Sequence, residues 1–131
     1  MSAKKRILIV DDDATSTRLL KLNLEGTNAY EVRVENWPED ALSSAQEFQP
    51  HLIILDVMMP RMFGGDVAAR MQADEKLKRT PIVFLTAAVG KTRVAEHDGI
   101  INGFPFLAKP VNLRDVVGCI ESQLTKSAAL F

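Results

Sequence analysis

The chain has 131 residues, 47% of them apolar and 25% charged, which suits a single globular domain with one buried core. Its formal net charge of −1 lacks the basic excess that a general nucleic-acid or membrane-surface binder carries. No apolar run nears the roughly 18–20 residues that cross a bilayer, the stretch before the first aspartates is too short for a signal-peptide core, and the lone Cys119 fits a reducing compartment, so a cytoplasmic protein is expected.

From the N-terminus, Ile7-Leu8-Ile9-Val10 reads as a strand buried on both faces, and it runs into Asp11-Asp12-Asp13. Asp13 or Thr15 can cap a helix that extends to about Glu25 and stops at Gly26. Tyr30 to Glu35 alternates apolar and charged residues, as a strand at or near a sheet edge does. Asn36 and Glu39 have the spacing of a capping box, Pro38 suits a first turn, and Trp37 would staple the helix start. Ala41, Leu42, Ala45 and Phe48 mark the inner face of that helix. Pro50 opens a third strand, Leu52 to Leu55, which ends on Asp56, and Pro60 breaks the chain behind it. Gly64-Gly65 leads into a helix with Val67, Ala68 and Met71 inward, followed by a charged connection from Asp74 to Thr80. Pro81 opens a fourth strand, Ile82 to Leu85, which delivers Thr86. A weaker helix covers about Lys91 to His97. Phe104 to Ala108 is a short fifth strand delivering Lys109-Pro110; Pro105 has no amide hydrogen, so the strand should be an edge or bulged there. Leu113, Val116, Val117, Ile120 and Leu124 give the last helix its buried stripe, and residues 126–131 form a tail beyond a core of about 5–125. Strands alternating with crossovers of helical length imply an α/β fold in one domain, a parallel sheet covered by helices on both faces.

Open sheets of this kind place ligands outside the carboxyl ends of their strands. Asp11, Asp12, Asp56, Thr86 and Lys109 all stand at such ends and would meet along one edge. A carboxylate can act as a covalent nucleophile. Phosphoryl transfer to it needs the charge on the equatorial oxygens neutralised by a divalent metal and fixed donors. Magnesium takes one or two carboxylates plus phosphate oxygens and retains waters. The three aspartates could supply that carboxylate set, Thr86 a hydroxyl and Lys109 a cation.

The acidic pair after strand one, the aspartate ending strand three with Met59-Pro60 behind it, Thr86-Ala87 and Lys109-Pro110 resemble the receiver domain of two-component response regulators, the CheY-like superfamily. The likeness spans about Lys5 to Gln123. It implies a flavodoxin-like, doubly wound, five-stranded parallel sheet in the order 2-1-3-4-5. It also implies a phosphorylation-controlled switch in a phosphorelay, not a turnover enzyme. By resemblance, Asp56 is the phosphoacceptor that becomes an aspartyl phosphate. Asp12 is a direct Mg2+ ligand, Asp11 a ligand largely through water, and the Met58 backbone carbonyl completes the set; Mn2+ could substitute. Thr86 and Phe106 match the switch pair of the family, which places the output surface at about 88–116. The implied partners are a histidine kinase or phosphotransfer protein as donor, and a downstream protein or fused output domain. A homodimer through helix four, strand five and helix five is a further option, with neither membrane nor direct nucleic-acid contact.

The chain departs from the family at Phe63, where an acidic residue often precedes the glycine matching Gly64, and at residues 102–106, which replace the usual approach to strand five. Met58 and Ala88 fall where side chains flank the phosphoryl group, and neither can hydrogen-bond an attacking water, so slow phosphate loss is expected. Plainer readings fit other residues. Asp13 is a helix cap or solvated, Phe106 could be an ordinary core phenylalanine, His51 and His97 are surface histidines, Cys119 is half-buried, and Lys76, Lys78 and Arg79 form a solvated loop. Two rival functions remain in view. A phosphate-independent docking module would not need the full set of site residues. A phosphatase with an aspartate nucleophile would carry a second aspartate where Met58 stands, and a cap domain.

Overall fold

The computed structural model describes residues 3–87, 100–101 and 104–130. The expected helix over about Lys91 to His97, and with it Ala88 and His97, lies outside the described residues. Six strands form one sheet: β1 Lys5–Val10, β2 Tyr30–Glu35, β3 Leu52–Asp56, β4 Ile82–Thr86, β5 Ile100–Ile101 and β6 Phe104–Ala108, in the order β2-β1-β3-β4-β6-β5. All pairings are parallel except that of β5 with β6. The expected order of five parallel strands therefore holds, with β6 as the fifth. The two-residue β5 is an addition that the sequence reading did not contain. It places Ile100 opposite Pro105, so β6 is not the sheet edge there; the proline falls before the β4 register, which starts at Phe106.

Four helices cover the sheet among the described residues: α1 Ala14–Glu25, α2 Ala41–Phe48, α3 Gly64–Ala73 and α4 Leu113–Leu130. Because side chains alternate across a strand, each buried strand feeds two cores. Leu8, Val10, Ile53, Leu55 and Phe84 pack with Ala41, Ala45, Val67 and Met71 on the α2–α3 side. Ile7, Ile9, Leu52, Ile54, Val83 and Leu85 pack with Leu20, Leu24, Val116 and Ile120 on the α1–α4 side. Edge strand β2 shows the alternation expected of it, with Tyr30 and Val32 buried and Glu31 exposed.

Several local expectations change. Gly26 has helical φ of −61°, and the left-handed residue of the α1 exit is Asn28, at φ 64°. Asn36 forms no capping box; Pro38–Asp40 is a 3-10 turn whose start has no side-chain cap. Trp37 is 52% exposed, with the Arg61 guanidinium 4.4 Å over its ring. The connection after α3 is charged but anchored, since Leu77 is buried in the α2–α3 core. Where a tail was expected, α4 continues to Leu130. His51 is half-buried rather than a surface residue: its Nδ1 accepts the Arg6 amide at 2.9 Å. The Arg6 guanidinium donates to the Phe48 and Gln49 carbonyls at the end of α2, where a cation also suits the helix dipole. Cys119 is half-buried as expected, and burial pushes its thiol up.

Candidate functional site

The parallel register brings the acidic residues to one edge. Val10 pairs with Leu55 and Asp56 with Leu85, so the residues that follow β1 and end β3 and β4 lie side by side. Chain polarity dictates this: in a parallel sheet every strand delivers its last residue to the same rim. Carboxylate oxygens of Asp11, Asp12 and Asp56 lie within 4.8 Å of one another. Asp11 and Asp56 are buried, whereas Asp12 is exposed. Lys109, delivered by β6, spans the buried pair, its Nζ 2.9 Å from Asp11 Oδ2 and 3.2 Å from Asp56 Oδ1. The Lys109 amide donates to the Thr86 carbonyl, which fixes the lysine against the end of β4. The Lys109-Pro110 peptide is cis.

The cluster holds more acidic groups than cations: three carboxyl groups lie within 4.8 Å of one another, and Lys109 pairs with two of them. Burial, and then the charge of Asp11, push the Asp56 carboxyl up to about 6, against the opposing pull of Lys109. Burial alone would lower Lys109, but its hydrogen bond and charge interaction with Asp11, reinforced by Asp56, hold it above the ordinary lysine value. A divalent cation would relieve the carboxylate repulsion, and oxygen ligands from one buried and one exposed carboxylate beside Asp56 fit a hard ion such as magnesium.

Asp11 is clamped from several directions. Its Oδ1 accepts the Asp13 amide, its Oδ2 binds Lys109, its own amide donates to the Glu35 carbonyl, and its carbonyl accepts the Asn36 side-chain amide at 2.7 Å. Asp13 takes the cap reading: its carboxylate accepts the Thr15 and Ser16 amides and the Ser16 hydroxyl, and the hydroxyl above all holds it below the usual carboxylate range.

Thr86 is buried and ends β4 one residue beyond the partner of Asp56. By strand alternation it shares a sheet face with Phe84. Phe106 pairs with Phe84 in the register and stacks on it, with centroids 5.1 Å apart, while Phe104 meets Phe84 edge-on at 5.2 Å. Phe106 is only partly buried, so it is not a sealed core residue. Met58 is 57% exposed just past Asp56, and Phe63, also 57% exposed, caps α3 with no side-chain bond.

Two contributors escaped the sequence reading. Asn36 was assigned to a helix cap; nothing in its local pattern points 25 residues back to Asp11. In sequence Gly64 leads into a helix and matches the family's turn glycine, yet nothing there shows that a Cβ would overlap the Asp56 carbonyl oxygen. Glycine at this position lets the α3 start close against the strand that carries Asp56, with the Gly64 amide donating to the Val57 carbonyl at 2.8 Å.

The chain matches known proteins along most of its length. Residues 7–121 match the family model described as the response regulator receiver domain. The chain is 32% identical over 125 residues to the DNA-binding response regulator MtrA of Mycobacterium tuberculosis, covering 95% of this chain and 52% of that protein. It is 32% identical over 127 residues to the alkaline phosphatase synthesis transcriptional regulatory protein PhoP of Bacillus subtilis, covering 94% and 50%. The chain thus spans about half the length of these curated relatives. Among solved structures, chemotaxis protein CheY4 of Vibrio cholerae superposes with a TM-score of 0.78 at 27% identity, covering 92% of this chain and 98% of that one. A CheY-like receiver domain from Methanospirillum hungatei shares the fold at a TM-score of 0.81 and 24% identity, covering 98% and 100%.

Proposed function

This chain belongs to the response regulator receiver domain family, and from that premise we propose that Asp56 is its phosphoacceptor in a magnesium-dependent transfer from a histidine kinase or phosphotransfer protein. Receiver domains are phosphorylation switches of two-component signalling, not turnover enzymes. The observation that carries the assignment is the cluster itself, three carboxylates with Lys109 bridging the buried two.

One Asp56 carboxylate oxygen attacks phosphorus. An O–P bond forms as the bond from phosphorus to the donor's imidazole nitrogen breaks, and the bonding pair leaves with that nitrogen. A carboxyl near 6 is mostly ionised at neutral pH, as an attacking carboxylate must be. Asp12 and Asp11 would hold magnesium with Asp56 and the Met58 carbonyl, and the bound ion, for which manganese could stand in, would draw charge from the phosphoryl oxygens. Lys109 is within reach of Asp56 and would exchange its carboxylate contact for a phosphoryl oxygen. Thr86 would donate its hydroxyl to another.

Turning of Thr86 toward phosphate opens space on the face it shares with Phe106, and the ring follows. The switch is then a shift between two packings, driven by tighter binding in one of them. Output passes through the surface around β6 and α4 to a downstream protein, a fused output domain or a second copy of the chain, in the cytoplasm. Neither rival function gains an observation: the complete cluster disfavours a phosphate-independent module, and Met58 stands where a phosphatase would carry its acid.

Incubation with magnesium and acetyl phosphate, followed by mass spectrometry, tests the assignment. One phosphoryl group is expected on wild type and none on Asp56→Asn; label retained by the variant would sink it. After removal of the donor the label should decay slowly, because Met58 offers an attacking water no hydrogen bond, and Met58→Asn should shorten its lifetime.

A further inference from the structure

We infer that Asn36 is a positioning residue of the cation site, acting through the backbone of the Asp11–Asp12 pair; the inference rests on the reading of that cluster as a divalent-metal site. Asp12 is the exposed member of the acidic cluster, and among the described residues no hydrogen bond or ion pair holds its carboxylate. The backbone is therefore what fixes the point from which its carboxylate reaches the cluster. The peptide that joins it to Asp11 is fixed by the Asp11 carbonyl, and the donor to that carbonyl is Asn36 Nδ2 at 2.7 Å. The preceding peptide is fixed in turn by the Asp11 amide, which donates to the Glu35 carbonyl at 3.1 Å. Successive residues of one segment thus grip both sides of Asp11.

That segment is itself braced. Glu35 accepts the Ser44 hydroxyl from α2 and the Trp37 amide. Asn36 makes a second bond, 3.0 Å to the Thr17 hydroxyl oxygen, which ties it to the first turns of α1. Trp37 is stacked by Arg61, which also pairs with Glu39 at 3.5 Å. Arg61 lies in the loop that follows Asp56, so the 35–39 segment spans from the Asp11–Asp12 loop to the loop behind the acceptor. An amide fits the role better than the other small polar side chains, because its Nδ2 supplies two hydrogens and here serves two acceptors at once.

The bond to the Asp11 carbonyl gives the prediction. Without it the Asp11–Asp12 peptide can rotate, and the Asp12 backbone loses the fixed position from which its carboxylate reaches Asp11 and Asp56. Removing a partner that orients a ligand weakens metal binding by about 10–100-fold. Because Asn36 acts through one peptide and not on the ligand atoms, about tenfold is expected. Manganese titration, with the free ion followed by electron paramagnetic resonance, reads binding without any turnover. Urea unfolding by circular dichroism identifies conditions in which every variant is fully folded.

Asn36→Ala, and Asn36→Leu which keeps the branched side-chain shape without a donor, should each bind manganese about tenfold more weakly than wild type. Thr17→Val removes the other acceptor of Asn36 and should lower stability while leaving affinity within about twofold, because the carbonyl bond remains. Wild-type affinity in both Asn36 variants overturns the inference. So does equal weakening by Thr17→Val, which would trace the effect to looseness of the first α1 turns. If wild type binds no manganese and takes no label from acetyl phosphate, the metal-site reading fails and this inference with it. A labelled, metal-binding wild type with indifferent Asn36 variants defeats the inference alone.

Discussion

At the residue scale, the chemistry concentrates in side chains whose properties their neighbours alter. Asp56 is pushed up and His51 is pushed down, with opposite consequences for stability. Burial lowers His51 below the ordinary histidine value of 6.5, seconded by the charges of Arg6 and Lys5. The unfolded chain then binds a proton that the fold refuses, so the stability held at this site is complete above about pH 6.5 and drains as pH falls toward the folded value. Geometry gives the same sign, because Nδ1 accepts the Arg6 amide and protonation would turn that acceptor into a donor. Asp56, pushed up to about 6, favours the fold while protonated, and its contribution fades as pH rises through that value. His51→Asn keeps an acceptor but cannot titrate. Urea midpoints at intervals between about pH 5 and 7 should fall less steeply on acidification in the variant than in wild type; parallel curves would remove His51 from the account.

At the element scale, the helix α3 shows how a strand end is kept in place. Gly64 begins it, and a Cβ there would strike the Asp56 carbonyl oxygen, a backbone atom with no flexible side chain to yield. Gly64→Ala should therefore cost about 2–3 kcal/mol, the scale of overpacking in a well-packed interior, and slow labelling of Asp56 by displacing the strand end. Gly65 has open space around its Cβ position, and Gly65→Ala should be neutral or gain up to about 0.5–1 kcal/mol from helix propensity. Similar costs for both, measured by urea denaturation, would show that close approach is not what requires Gly64. Most elements were legible in the sequence for simple reasons: four branched apolar residues in a row, or a helical stripe such as Leu113, Val116 and Ile120, have few other uses. The misread ones were local polar patterns. Asn36 and Glu39 have the spacing of a capping box, but the carbonyl and hydroxyl that hold Asn36 come from Asp11, just past β1, and from α1, and no local rule sees them. Leu77 was lost among lysines and arginines because one buried residue in a charged turn makes no period.

At the scale of the whole molecule, one sheet with a core on each face acts as a rigid base that presents its acidic rim at the strand ends. A ligand that binds only the folded rim stabilises everything beneath it. At tenfold excess over its dissociation constant, magnesium should add about 1.4 kcal/mol to the unfolding free energy. Thermal unfolding with and without the ion measures this. Asp12→Asn should abolish the gain, and an equal gain in that variant would assign the binding elsewhere. The curated relatives that the chain matches are about twice its length.

By itself the sequence determined the alternation of strands and helices, the α/β class and the kinds of side chain at the strand ends, because these follow from hydrophobic period and from residues adjacent in the chain. Only the tertiary structure decided that Lys109 bridges Asp11 and Asp56, that Gly64 must lack a side chain, that Asn36 serves Asp11 rather than a helix, and that a short antiparallel strand joins β6. Each is a contact between chain segments brought together by folding. Its energy depends on distances that parallel pairing and helix packing create, and residue order alone does not contain them.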